Sequence, residues 1–278
     1  MFRSLLLPLA FSLLSAPAFA EPASPWIADT GARFRLVDGG LKDGARLVAV
    51  QIALEPGWKT YWRQPGASGV PPRFDFSGSE NVESASVSYP APERSADEDG
   101  VTNVYHGVVT LPVRVRPVDP AAPVTLRVVA DYGVCERICV PARTEAELQL
   151  APDGGRAGPA RDEVLAALAR VPDIKPLGAP GPVAIGSVVQ TGAAGGSALR
   201  VEVSAPEGGK PPELFAETGD SEYVAAPELA GKPAAGRAAF RIALDGPALP
   251  AAGFRLTLVA GGEAIETRVP LDAIRPKS

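Results

Sequence analysis

Apolar and polar side chains alternate with a period of two in run after run, and Gly, Pro, Asp or Ser interrupts each run within about a dozen residues. A chain patterned in this way has one apolar side per extended segment and hides it by pairing strands and stacking sheets. In the first half the runs are Phe34 to Val37, Leu47 to Leu54, Val82 to Tyr89, Val104 to Val115, Val124 to Ala130 and Glu145 to Leu150. No helical pattern of 10 to 15 residues lies between them, which disfavours alternating strands and helices. The expected class is all-β, an antiparallel β-sandwich, and the 30 Pro and 29 Gly supply its turns.

Residues 151 to 160 break the alternation with Gly and Pro. Arg161 to Arg170 then reads as a short helix, with Asp162 and Glu163 at its start, Arg170 at its end and Val164, Leu165 and Leu168 on one side. Pro172, Pro176, Pro180 and Pro182 form a stiff connector before strand-like runs resume at Val183 to Val189, Leu199 to Val203, Ala238 to Leu244, Phe254 to Val259 and Ile265 to Val269. A second, smaller β-sandwich is expected. The boundaries are a leader over 1–20, a first domain over 21–152, a linker with the helix over 153–180 and the second domain over 181–278. The second half reads as a reduced copy of the first. Pro71-Pro72-Arg73-Phe74 is echoed by Pro211-Pro212-Glu213-Leu214-Phe215, and a Gly261-Gly262-Glu263 turn stands where the first half has its cysteine segment.

Arg3, the apolar run Leu5 to Leu14 and Ala18-Phe19-Ala20 make an export leader with cleavage expected after Ala20. No later stretch reaches the roughly 18 apolar residues of a membrane span, so the mature chain is expected not to insert in a membrane and to reside in the periplasm. The net charge is −5, which gives the chain no general electrostatic reason to bind nucleic acid or anionic lipid. Nothing resembles a phosphate-binding glycine loop, and a Ser-His-Asp set would need the single histidine, His106.

An exported chain enters an oxidising space, where two cysteines ordinarily pair. Cys135 and Cys139 have three residues between them, close enough for a disulfide. So small a loop removes little chain entropy from the unfolded state, which favours reactivity over support. A passive hairpin clip stays open as a reading, and so does a Cys₂His metal site with His106; no metal or other cofactor is expected. Cysteines at this spacing are not those of a Cys-x-x-Cys helix start.

Gly57-Trp58-Lys59-Thr60-Tyr61-Trp62-Arg63, the run Gly69 to Ser79, and Tyr132-Gly133-Val134-Cys135 through Cys139-Val140-Pro141-Ala142 resemble, in order, the periplasmic N-terminal domain of the thiol:disulfide interchange protein DsbD family, closer to its ScsB-like (suppressor of copper sensitivity) branch. The resemblance covers about residues 25 to 150. It implies an immunoglobulin-like fold and a catalytic pair, Cys135 and Cys139, cycling between dithiol and disulfide. It places Tyr61 beside the pair and Asp97-Glu98 at the start of a capping loop. Implied partners are thioredoxin-like periplasmic proteins and a separate transmembrane electron donor. The chain departs from DsbD in following its acidic pair with Asp99-Gly100-Val101, where the family's cap carries aromatic residues, so no tight aromatic shield is implied.

Spacing does not decide whether Cys135 or Cys139 attacks first; the resemblance favours Cys139, because DsbD uses the later cysteine with its partner. Arg137, between the two, would stabilise a thiolate; Glu136, Asp131, Asp97 and Glu98 would oppose it, and a thiol that reacts mainly inside a docked complex is expected. Tyr61, Asp97, Glu98, Tyr132 and Arg137 are the residues expected to flank the pair. The plainer readings make Trp58, Tyr61 and Trp62 sandwich core or edge aromatics, His106 a strand surface residue and the acidic run a solvated loop. Against the thiol-disulfide relay stand two alternatives: a non-catalytic β-sandwich adaptor with a structural disulfide, and a copper-tolerance protein binding Cu(I).

Overall fold

The computed structural model describes residues 22–97, 100–154, 159–193, 196–218, 223–244 and 249–276. The expected leader and Glu98 lie outside them. Eleven strands come first: β1 (Ile27–Asp29), β2 (Ala32–Lys42), β3 (Ala45–Leu54), β4 (Lys59–Gly66), β5 (Arg73–Asp75), β6 (Val82–Val87), β7 (Glu93–Asp97), β8 (Gly100–His106), β9 (Val108–Pro117), β10 (Val124–Cys135) and β11 (Cys139–Leu150). They form one sheet in the order β1-β2-β3-β9-β6 and another in the order β11-β10-β4-β8-β7, with β5 also paired to β10. Between the two sheets lie Phe34, Leu36, Val48, Val50, Ile52, Trp62, Leu111, Val113, Leu126, Val128, Tyr132 and Leu148, an immunoglobulin-like sandwich core.

Three features differ from the sequence reading, each for a local reason. Val104 to Val115, read as one run, is two strands. Gly107 turns there with φ +66°, and the chain crosses from one sheet to the other. The cysteine segment, read as lying between strands, is itself paired out to Cys135↔Cys139, because its alternation continues to the tip. Strand β3 is buried on both sides. Val48, Val50 and Ile52 face the core, while Leu47 and Ala49 meet Val37 and Val164 of helix α1 (Pro159–Leu168), which lies over the outer face of the sheet.

The remaining strands are β12 (Asp173–Ile174), β13 (Ala184–Ala193), β14 (Gly196–Ser204), β15 (Glu213–Thr218), β16 (Glu228–Leu229), β17 (Arg237–Ala243), β18 (Phe254–Ala260), β19 (Glu263–Val269) and β20 (Arg275–Pro276). They build a second sandwich from the sheets β12-β19-β18-β15 and β16-β17-β14-β13-β20, with Leu199, Val201, Leu214, Phe240, Ile242, Leu256, Leu258 and Ile265 between them. The repeat has a structural counterpart. In each half the Pro-Pro segment leads into a strand, β5 or β15, that runs antiparallel to the first strand of the closing hairpin, β10 or β18.

The two sandwiches meet through strand β4. Phe215 joins the first core and stands 5.8 Å from Trp62, edge to face. Arg63 binds Glu217 in a fork at 2.7 to 3.1 Å and Glu266 at 2.6 Å, and Arg255 stands 3.5 Å from Glu266. Burial opposes the Arg63 charge, but the two carboxylates outweigh it and hold the guanidinium pKa above its usual value. Arg94 donates to the carbonyl oxygens of Leu214 and Pro227 across the same boundary.

Candidate functional site

Directly opposed residues of an antiparallel pair present their side chains to the same face of the sheet. Cys139 opposes Cys135, Cys135 opposes Lys59, and Lys59 opposes His106, so these four form a row across β11, β10, β4 and β8. Tyr61, two residues beyond Lys59, shares that face. With Val104 and Cys135 it makes a small apolar cluster separate from the main core. The row therefore lies on the outer side of the sheet.

Cys135 and Cys139 are joined by a disulfide across the last residue pair of the β10–β11 hairpin, with Cα atoms 4.1 Å apart. The two halves of the bond have different surroundings. Cys135 is 6% exposed, whereas Cys139 is an exposed residue at the start of β11. The Tyr61 hydroxyl lies 2.9 Å from Cys139 Sγ, within hydrogen-bonding reach. The Tyr61 ring fits because two glycines flank it. A Cβ on Gly69, which also has φ +106°, would overlap the ring, and one on Gly133 would come within 3.2 Å of it and 2.9 Å of Val70 Cβ.

Of the residues singled out in the sequence, Cys135, Cys139, Tyr61 and Asp97 come together around this face. Asp97 ends β7, and Lys59 Nζ donates to its Oδ2 at 2.7 Å, which ties the β7–β8 hairpin to the strand position opposite Cys135. Arg137 is exposed in the three-residue loop at the tip, beside Ile138, which is 77% exposed. Tyr132 points the other way. It is 1% exposed in the sandwich core with its ring stacked on Phe34, and burial pushes its phenol pKa up. Trp62 is likewise a core residue, and Trp58 packs against the core from its edge.

Lys59 and Val70 are neighbours of the site that residue type alone did not mark. The signal was parity: in the segment Lys59-Thr60-Tyr61-Trp62, placing Thr60 and Trp62 inward sends Lys59 and Tyr61 outward together. Among the described residues no group of three or more His, Cys, Asp or Glu side chains is arranged to hold a metal ion. No described helix is long and apolar enough to cross a membrane.

An exposed disulfide sulfur bonded to a sheltered one, with a phenol at the exposed end, can exchange with an incoming thiol. The hairpin is already held by strand pairing, so the bond adds little restraint to the fold.

Residues 28–151 match the family described as thiol:disulfide interchange protein DsbD, N-terminal. No curated protein matches the chain. Among solved structures, the N-terminal periplasmic domain of ScsB from Proteus mirabilis superposes with a TM-score of 0.69 at 20% identity, covering 89% of this chain and 97% of that one. That likeness extends the shared fold across both sandwiches. The Neisseria meningitidis DsbD n-terminal domain in the reduced form is 19% identical over 45% of this chain and 88% of its own, with a TM-score of 0.29.

Proposed function

From the premise that residues 28–151 form a DsbD N-terminal-like domain, we propose that the chain is a periplasmic thiol-disulfide interchange protein. It relays reducing equivalents through Cys135 and Cys139 to oxidised proteins of the same compartment. The observation that carries this reading is the asymmetric disulfide on the outer sheet face, exposed at Cys139 and sheltered at Cys135.

In the reduced chain the Cys139 thiolate attacks one sulfur of a partner disulfide. The partner's S–S bond breaks, its other sulfur leaves as a thiolate and takes a proton, and a mixed disulfide forms. Cys135, loses its proton and attacks Cys139, expelling the second partner thiol and re-forming Cys135–Cys139. Two electrons pass to the partner. The reverse sequence, with a thioredoxin-like protein or a membrane-embedded dithiol as donor, reduces the pair again. The Tyr61 hydroxyl, 2.9 Å from Cys139 Sγ, donates a hydrogen bond to the thiolate. Exposed Ile138 and Val70 supply apolar contact for a docked partner.

An equilibrium redox titration of the purified chain, scored by thiol alkylation and mass, tests this. A potential clearly above about −300 mV is expected for a relay pair. A lower one returns the disulfide to a structural staple and the chain to a binding module. Cys135→Ala, which keeps the attacking sulfur and removes the resolving one, is expected to accumulate mixed disulfides through Cys139.

A further inference from the structure

We propose that the cleft between the two sandwiches seats an extended segment of the oxidised substrate protein, one carrying a basic side chain four to five residues from its reacting cysteine. This rests on the exchange reading above and names the substrate feature that the same site selects.

The cleft has a volume of about 500 Å³ and takes one wall from each sandwich. His106 is one of its lining residues and also the last member of the row that begins at Cys139. Three strand steps of about 4.8 Å separate the two, roughly 14 Å in all, which an extended chain crosses in four to five residues. The two middle members of the row are sheltered, Cys135 at 6% and the Lys59 side chain at 12%, so a segment bonded to Cys139 passes above them and arrives at the cleft with its fourth or fifth side chain.

The lining suits such a segment. Val108, 62% exposed, and Val171 give it apolar surface. Glu93 from the first sandwich and Asp173 and Glu263 from the second are exposed at its edges. These three carboxylates come from different elements, and none is in a salt bridge with another described residue. Arg170 is the single Lys or Arg among the described lining residues, so the edge is negative on balance. A cleft with exposed valine surface and a net negative lining, at the far end of the row that begins at Cys139, is complementary to an extended peptide bearing Lys or Arg. It is unsuited to an acidic one.

The test uses the reduced full chain and three probes: 5,5′-dithiobis(2-nitrobenzoate) and two peptides, each with one cysteine in mixed disulfide with thionitrobenzoate. The peptides are identical apart from Lys or Glu four residues from the cysteine. Thionitrobenzoate release reports the rate. The Lys peptide is expected to react about five-fold faster than the Glu peptide at low ionic strength, with the gap shrinking in salt. In a Glu93→Gln/Asp173→Asn/Glu263→Gln variant the gap should close while the rate with the small disulfide is unchanged. Equal peptide rates, or a gap that survives the triple substitution, overturn the cleft assignment alone. No reaction with the small disulfide overturns the exchange reading, and the inference falls with it.

Discussion

Replacing Arg63 with Met should cost about 3–5 kcal/mol of stability, because it removes the cation from a buried three-group cluster while keeping an unbranched side chain in its place. The guanidinium side chain is 19% exposed, and its partners Glu217 and Glu266 are 9% and 11% exposed. The substitution deletes a forked pair to Glu217 and a 2.6 Å bond to Glu266, and it leaves two carboxylates facing each other in a poorly solvated space. Arg255 remains at 3.5 Å from Glu266 and 4.0 Å from Glu217, but it is 36% exposed and screened, which places the expectation near the lower end, about 3 kcal/mol. The loss of the guanidinium over the Trp62 ring, 4.7 Å away, adds about 0.5 kcal/mol. Equilibrium urea unfolding at neutral pH, followed by tryptophan fluorescence, measures it. Adding Glu217→Gln and Glu266→Gln to Arg63→Met should recover about half of the loss, since the uncompensated charges are then gone. A cost under about 1 kcal/mol, or no recovery in the triple variant, would refute the claim that a desolvated charge cluster joins the sandwiches.

Tyr61→Phe deletes the hydroxyl beside Cys139 Sγ and should slow alkylation of reduced Cys139 near neutral pH by about ten-fold, the equivalent of roughly 1.4 kcal/mol of lost thiolate stabilisation. An unchanged rate–pH profile would remove Tyr61 from the exchange chemistry. Gly69→Ala combines a strained left-handed backbone with overlap on the Tyr61 ring, so it should cost about 2 kcal/mol and reproduce the Tyr61→Phe slowing, both readable on one preparation. Burial raises the Asp38 carboxyl pKa, with the Gly40 amide and Arg46 lowering it less. The folded state therefore holds this proton to higher pH than the unfolded chain does. Its contribution to stability falls as pH rises from the unfolded value near 3.9 through the raised folded value. Asp38→Asn should flatten that slope in urea titrations across the acid range; an identical pH profile for both proteins would contradict it.

The fold was largely legible because its strands carry their own evidence. Val124 to Ala130 and Glu145 to Leu150 alternate cleanly, and they pair as one hairpin. Leu47 to Leu54 also read as a strand. Its double burial did not follow from alternation, since the second apolar side exists only because α1 folds back over it. β12 was hidden in a proline-rich connector. Asp173 and Ile174 have no strand pattern of their own and become a strand by pairing in parallel with β19. The candidate site divides similarly. The cysteine spacing announced a pair, but its asymmetry depends on which face of β10 meets Tyr61, and that follows from the register of three strands together.

The joint between the sandwiches was the least legible element, and the reason bears on how the site works. Arg63 meets Glu217 across 154 residues and Glu266 across 203, and no local pattern singles out one arginine among many for such partners. Yet Arg63 sits two residues from Tyr61 on the same strand, so the contact that seats the second sandwich also fixes the strand that holds the phenol against Cys139. Glu266 belongs to the same strand as Glu263, on the acidic edge of the cleft. Loosening the joint should therefore alter two properties at once: the hydrogen bond at the exposed sulfur and the width of the groove beyond His106. Measured in Arg63→Met under conditions where it stays folded, slower alkylation of Cys139 and a reduced preference for the Lys peptide are expected to appear together. If alkylation and peptide preference both match the unsubstituted chain while stability falls, the second sandwich braces the fold without shaping the exchange site.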